Sequence, residues 1–184
     1  VRQGYGLTEC SPIVCVNRET DVNNASVGPA MPGVEIKINN PNEDGVGEIL
    51  VKGKNVMLGY YKDPEATAEV LRDGWFYTGD LGRMDKKGRL YICGRIKNII
   101  VTKTGKNIYP EELEEKIKHI PYVLESIVWG YDNKDDGDTE VHATVVPNYE
   151  AIKEAGFDDT TPDAVKALIW NEIKKVNKTV PVHK

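Results

Sequence analysis

Asp73-Gly74-Trp75-Phe76-Tyr77-Thr78-Gly79-Asp80-Leu81-Gly82, continued through Gly88 to Gly94-Arg95-Ile96-Lys97, decides the fold. Its spacing predicts a short β-meander. Trp75 to Tyr77 is aromatic and strand-like, Asp85-Lys86-Lys87-Gly88 is a polar turn, and Leu90-Tyr91-Ile92-Cys93 is an apolar run suited to a buried strand. Asp80, after Thr78-Gly79, and Arg95, after Gly94, then stand at strand ends. The glycine beside each lets backbone come close to a ligand. A carboxylate accepts two hydrogen bonds from a vicinal diol, and a guanidinium holds a phosphate or polarises the same sugar. Spacing alone favours a plainer reading, a solvated Asp in one turn and an unrelated surface Arg in another.

Upstream, Gly4-Tyr5-Gly6-Leu7-Thr8-Glu9-Cys10-Ser11-Pro12 gathers small and hydroxylated residues around one acid, and its Gly-Tyr-Gly punctuation predicts a loop. A carboxylate beside a hydroxyl can hold Mg²⁺, which keeps most of its waters and needs only one or two protein carboxylates plus phosphate oxygens. Taken alone, a Thr-Glu pair is equally a turn. Between the two stretches, Val34 to Ile38 alternates as a half-buried strand does, 39–45 is dense turn chemistry, and Gly47 to Gly53 is a second strand bounded by glycines. Asp63-Pro64 opens a helix to about Leu71, with Asp at the N-cap and Pro at the first helical position.

After Lys97 the pattern changes to α+β. Asn98-Ile99-Ile100-Val101 reads as a strand, Lys103 to Lys106 as a turn, and Asn107-Ile108-Tyr109 as the return. Pro110 starts a helix with Glu111 and Glu112 in its first turn and an apolar face of Leu113, Ile117 and Ile120. Strands follow at Ser126 to Gly130 and Val141 to Val146, around an acidic loop from Asp132 to Asp138 that lacks calcium-loop spacing. Thr161-Pro162 caps a last helix carrying Val165, Leu168, Ile169 and Val176 on one face.

Composition sets modest bounds. A chain of 184 residues, 40% hydrophobic, can bury a core as one domain or two small ones. A net charge of −5 argues against nucleic acid as the main partner. Cys10, Cys15 and Cys93 form no CxxC pair and no even set, which suits free thiols in a reducing cytosol. His119, His142 and His183 lack zinc-ligand spacing. The sequence has no apolar run of bilayer-spanning length and no signal-peptide pattern, so a cytoplasmic location is expected.

The central stretch resembles the signature of fatty-acyl-CoA synthetases, in the acyl-adenylate-forming (AMP-binding) superfamily, over some two dozen residues. The resemblance implies that Asp80 binds the ATP ribose hydroxyls, that Arg95 contacts ribose and phosphate, and that Lys97 is the hinge of a mobile C-terminal domain. The upstream stretch resembles the same family's Y-G-x-T-E motif, in the family's order. That implies Tyr5 and Gly6 at the nucleotide, with Tyr5 against adenine, Thr8 on phosphate and Glu9 holding Mg²⁺; Thr8 and Glu9 are the candidate catalytic pair. Gly47-Glu48 and Gly59-Tyr60-Tyr61 resemble further family elements and read as structural. The Gly105 loop is similar to the hairpin that lines the CoA pantetheine tunnel. From Arg95 to Gly105 the spacing is one residue longer than in aryl-CoA ligases, as in long-chain fatty-acyl-CoA ligases, and Val101 stands where a Lys is frequent, so no CoA role is placed there.

The implied fold is α+β. Residues 1–96 would be a small β-barrel-like subdomain ending the large AMP-binding domain, and 97–184 a mobile α+β domain with a mixed sheet and flanking helices, truncated at its end. The chain begins at Val1 in mid-motif and stops at His183-Lys184 without a helix stop signal, so a piece of something longer is expected. The family's phosphate loop would lie upstream and its catalytic Lys downstream, so the piece alone is expected to be inactive. The implied whole is an ATP-dependent long-chain fatty-acid–CoA ligase using ATP, Mg²⁺, fatty acid and CoA, with no nucleic acid and with peripheral membrane contact through the acyl substrate as a possibility. Two alternatives stay open: an amino-acid or aryl adenylation module loading a carrier-protein thiol, and a non-catalytic binding module. Acyl chain length and oligomeric state are not legible.

Overall fold

The computed structural model describes residues 2–19, 23–103, 105–132, 139–158 and 160–179. The chain divides into two units, Val1–Lys97 and Asn98–Lys184.

In the first unit, β1 (Gly4–Gly6) leads through a one-turn 3-10 helix, Thr8–Cys10, to its antiparallel partner β2 (Ile13–Val16). Then come β3 (Gly28–Pro29), β4 (Val34–Asn39), β5 (Gly47–Gly53), α1 (Pro64–Val70), β6 (Leu71–Arg72), β7 (Trp75–Met84) and β8 (Arg89–Arg95). They form a six-stranded antiparallel sheet in the order β3-β8-β7-β5-β4, with β6 on β7. Central β5 buries Ile49, Leu50 and Val51 in succession, as a strand covered on both faces must. Ile49, Val51, Phe76 and Leu90 pack with Cys10, Val14 and Cys15 from the β1–β2 layer, each large apolar side chain contributing roughly 1.5–3 kcal/mol. The fold class read from the sequence is borne out.

The meander forms as read. Asp85 takes its turn, with Gly88 N–H donating to the Asp85 carbonyl at 2.9 Å. Asp80 departs from its expected strand end and lies inside the ten-residue β7. Glu48 pairs with Leu81 and Leu50 with Tyr77, so Thr78, Gly79 and Asp80 together face the single Ile49. This bulge, with Gly79 at φ +72°, re-aims Asp80 without ending the strand. The predicted loop at Gly4–Pro12 is a strand and a helical turn, because Gly6 lies so close to the Pro12 carbonyl that a Cβ would overlap it. Asp63 caps α1 as expected, accepting from Ala66 N–H at 2.9 Å.

A 3-10 turn at Ile96–Asn98 spans the boundary between the units in the sequence, and the second unit continues with β9 (Ile100–Val101), a strand shorter than expected. β10 (Asn107–Ile108) pairs with β9, and α2 (Pro110–Lys118) follows. The hairpin β11 (Val123–Asp132) and β12 (Thr139–Pro147) is longer than its predicted strands. Where a mixed sheet was expected, the described pairings here are antiparallel. An unpredicted helix, α3 (Tyr149–Glu154), is capped by Asn148 accepting from Ala151 N–H at 3.1 Å, and buries Ile152 completely. The last helix is α4 (Pro162–Asn177). Thr161 stands at its N-cap without a capping bond, since its hydroxyl donates instead to Asp158 Oδ2 at 3.3 Å. Ile117, Ile120, Val128, Val165 and Ile169 form the core with Ile100, Ile108 and Ile152. Residues 133–138 of the acidic loop, Thr104 and His183 lie outside the described residues.

Candidate functional site

The sequence-singled residues of the first unit fall into two clusters. The first is centred on Asp80, which is 5% exposed. It faces Arg95 across the β7–β8 register, and Arg95 Nε lies 3.0 Å from Asp80 Oδ1. Tyr5, in β1, donates its hydroxyl to Asp80 Oδ2 at 2.7 Å. The bulge is pinned from below. Thr78 Oγ1 donates to the Ile49 carbonyl at 2.8 Å and accepts Asp80 N–H at 3.0 Å, while Gly79 N–H donates to Glu48 Oε1 at 3.2 Å. Burial, with the hydrogen bond to Asp80 second and the Asp80 charge third, pushes the Tyr5 phenol well above its usual range, so it stays protonated and remains a donor. Arg95 is about half exposed. A buried carboxylate suits hydroxyl donors of a ligand, and the half-exposed guanidinium beside it suits an anionic group on the same ligand.

The second cluster is the 3-10 turn. Thr8 is exposed and Glu9 half-buried, with Ser11 at φ 52° closing the turn. Glu9 Oε1 accepts from Tyr60 Oη at 3.0 Å, and the Glu9 carbonyl accepts from Met57 N–H at 2.7 Å. Asn55 Nδ2 donates to the next carbonyl, of Cys10, at 2.9 Å. Among the described residues no three His, Cys, Asp or Glu gather as a metal cluster. One carboxylate with an exposed hydroxyl beside it fits Mg²⁺ shared with phosphate oxygens, and does not fit a cage built from protein alone. Cys10 and Cys15 are fully buried, and burial raises their thiols to about 11 and about 12; for Cys10 the Glu9 charge adds to this. They are packing residues with free thiols.

Lys97 is exposed in the turn Ile96–Asn98 and is the last residue of the first unit. The next residue, Asn98, donates from Nδ2 to Glu111 Oε1 at 2.7 Å, fastening the start of the second unit to α2. Gly105 has φ +76° in the β9–β10 turn, with its N–H donating to the Thr102 carbonyl at 2.8 Å. The residues that sequence reasoning missed are Thr78, Asn55 and Tyr60. All act through side-chain bonds between segments far apart in the chain, which no local pattern signals. No described helix is long and apolar enough to cross a membrane.

Residues 1–61 match the AMP-binding enzyme family. A long-chain-fatty-acid–CoA ligase of Escherichia coli is 39% identical over 142 residues, 74% of this chain and 25% of the relative. A chloroplastic long-chain-fatty-acid–[acyl-carrier-protein] ligase of Arabidopsis thaliana is 36% identical and covers 95% of this chain and 26% of its own. The o-succinylbenzoate coenzyme A synthetase of Bacillus subtilis, solved in complex with ATP and magnesium ion, superposes with a TM-score of 0.71 at 35% identity, over 80% of this chain and 32% of that one. The chain spans about a quarter of the length of the curated relatives it matches. The resemblance read from the motifs is borne out: the chain is similar to AMP-binding enzymes and, over most of its length, to long-chain fatty-acid ligases.

Proposed function

We propose that this chain is part of an ATP-dependent long-chain fatty-acid–CoA ligase, which joins fatty acid to AMP with release of pyrophosphate and then exchanges AMP for CoA. One observation carries the reading: the buried Asp80 carboxylate held between Tyr5 and Arg95, with the Thr8-Glu9 turn directly following β1. Asp80 accepts hydrogen bonds from the ribose hydroxyls, and Arg95 serves ribose and phosphate with its free N–H groups. The Tyr5 ring lies against adenine, Gly6 gives the backbone room there, and Thr8 donates to phosphate. Glu9 supplies the carboxylate oxygen for Mg²⁺, which when bound offsets phosphate charge. In this reading residues 1–96 end the large domain, 97–184 form the mobile one, Lys97 is the pivot, and the Gly105 loop lines the CoA tunnel. The free thiols of Cys10 and Cys15 support a cytoplasmic location.

The Arabidopsis relative, named for an acyl-carrier protein, favours a second reading in which a carrier-protein thiol replaces CoA. Full-length protein given palmitate, ATP and Mg²⁺ should exchange pyrophosphate into ATP and then form a thioester on CoA. A thioester formed on phosphopantetheinylated carrier protein and never on CoA selects the second reading. Absence of fatty-acid-dependent exchange rejects both.

A further inference from the structure

We infer that Tyr60 is a positioning residue for the Glu9 carboxylate, and that the segment 55–60, together with α1, is the clamp that holds this acid ready for a divalent cation bound with nucleotide phosphates. The inference rests on the reading of Glu9 as the acid that meets the cation.

Two adjacent tyrosines follow Gly59, and they have different fates. Tyr61 is 88% exposed, with the Lys62 ammonium 5.3 Å over its ring. Tyr60, 38% exposed, gives its hydroxyl to Glu9 Oε1 at 3.0 Å. The same segment grips the Glu9 backbone, since Met57 N–H donates to its carbonyl at 2.7 Å, and grips the following residue through Asn55 and the Cys10 carbonyl. Both ends of Glu9 are therefore tied to one stretch of chain that is distant in sequence.

Tyr60 is itself braced. Its N–H donates to Thr67 Oγ1 at 2.9 Å, and the Thr67 hydroxyl donates to the Asp63 carbonyl at 2.7 Å. Gly59 sits at φ +150° against Thr67, where a Cβ would come within 2.8 Å of the Thr67 methyl. The helix carrying Thr67 has no fully buried residue and meets the core through the partly buried Val70. Through Thr67 it also fixes the turn that carries Tyr60.

A half-buried glutamate left to itself samples several rotamers, and ordering it costs conformational entropy. A donor on Oε1 removes that freedom before the ligand arrives. Among the described residues Oε2 has no hydrogen-bond partner, so one oxygen remains for the cation. This is the arrangement in which outer partners hold a ligating carboxylate, and removing such a partner typically costs 10–100-fold in metal affinity.

The test uses full-length protein, ATP and Mn²⁺ in place of Mg²⁺, with no fatty acid present. Bound Mn²⁺ is read by electron paramagnetic resonance and stability by urea midpoint, for wild type, Tyr60→Phe, Glu9→Ala and the double variant. Tyr60→Phe should weaken Mn²⁺ binding about tenfold, at the low end of that range because the acid itself remains. In the Glu9→Ala background the same change should have no effect on Mn²⁺, and its effect on the urea midpoint should shrink. Unchanged Mn²⁺ affinity in Tyr60→Phe, while Glu9→Ala binds poorly, overturns the inference and spares the reading of Glu9. Equal losses from Tyr60→Phe with and without Glu9 also overturn it, since Tyr60 then acts elsewhere. Full Mn²⁺ affinity in Glu9→Ala overturns the reading of Glu9, and the inference with it.

Discussion

Tyr5 Oη lies 2.7 Å from Asp80 Oδ2, while Arg95 Nε lies 3.0 Å from Oδ1, so each oxygen of this buried carboxylate already has a partner. An ionised carboxylate offers about four acceptor sites, and a diol can enter without expelling either neighbour. A hydrogen bond to a charged group contributes roughly 1.5–3 kcal/mol, and each ~1.4 kcal/mol is tenfold. Asp80→Ala in the full-length enzyme is therefore expected to lower kcat/KM for ATP by roughly 10–100-fold. The decisive control is deoxy-ATP, which should lose less against ATP in the variant than in wild type. Equal losses in both proteins would separate Asp80 from the sugar.

The same contact makes a prediction about stability. Tyr5→Phe keeps the ring and removes the donor, leaving a buried carboxylate one hydrogen bond short. The cost should be roughly 1–3 kcal/mol, read as a lower urea midpoint at unchanged slope. The phenol's raised pKa adds a pH signature. A group whose folded pKa exceeds its unfolded value of about 10 contributes stability that is present below that value and lost as pH rises above it. Wild type should accordingly lose more stability than Tyr5→Phe between about pH 9 and pH 11. Parallel losses would mean that folding does not raise the Tyr5 phenol's pKa.

Asp85 carries the opposite signature. Its carboxylate accepts the N–H groups of Lys87 and Arg89, the Arg89 Nε at 2.7 Å and the Tyr91 hydroxyl at 3.1 Å. These bonds, the Arg89 backbone N–H foremost, hold its carboxyl well below the usual range. A depressed folded pKa gives stability that is present above the unfolded value of about 3.9 and lost as pH falls toward the folded one. Asp85→Asn should lower the Tm near pH 7, and the gap should close as pH drops below about 4. A gap that stays constant with pH would show that the charge contributes nothing to this turn.

The parts legible in the sequence are those written locally. The Asp85–Gly88 turn, the alternation of Val34–Asn39, the Asp63 cap and the Pro110 helix start each lie within a few residues of their own signal. Asp80 was singled out, yet its place within β7 was not, because the bulge depends on Ile49 and Glu48 across the sheet. The β1 strand hid behind two glycines that read as loop, although Gly6 is required by the approach of Pro12. Tyr60 looked structural because its partner lies 51 positions away. The short α3 lacked helical length, and its existence depends on the completely buried Ile152.

Lys97 ends the first unit, it is exposed, and its neighbour Asn98 is fastened to Glu111 in the second. A φ/ψ change confined to residues 96 and 97 would then turn the second unit while leaving its internal bonds intact. The proposed two half-reactions require such a turn, since different groups must serve adenylate formation and attack by CoA. Proline at 97 fixes φ near −65° and drives the preceding residue out of the helical region. Here that preceding residue is Ile96, which opens the 3-10 turn. Lys97→Pro therefore biases the hinge toward one conformation instead of loosening it. In the full-length enzyme, acyl-AMP formation is expected to stay near normal, read by pyrophosphate release in a single turnover. Thioester formation from preformed acyl-AMP is expected to stall. Equal loss of both steps would make Lys97 a folding residue with the pivot elsewhere, and no change in either would mean that the chain does not turn at this position.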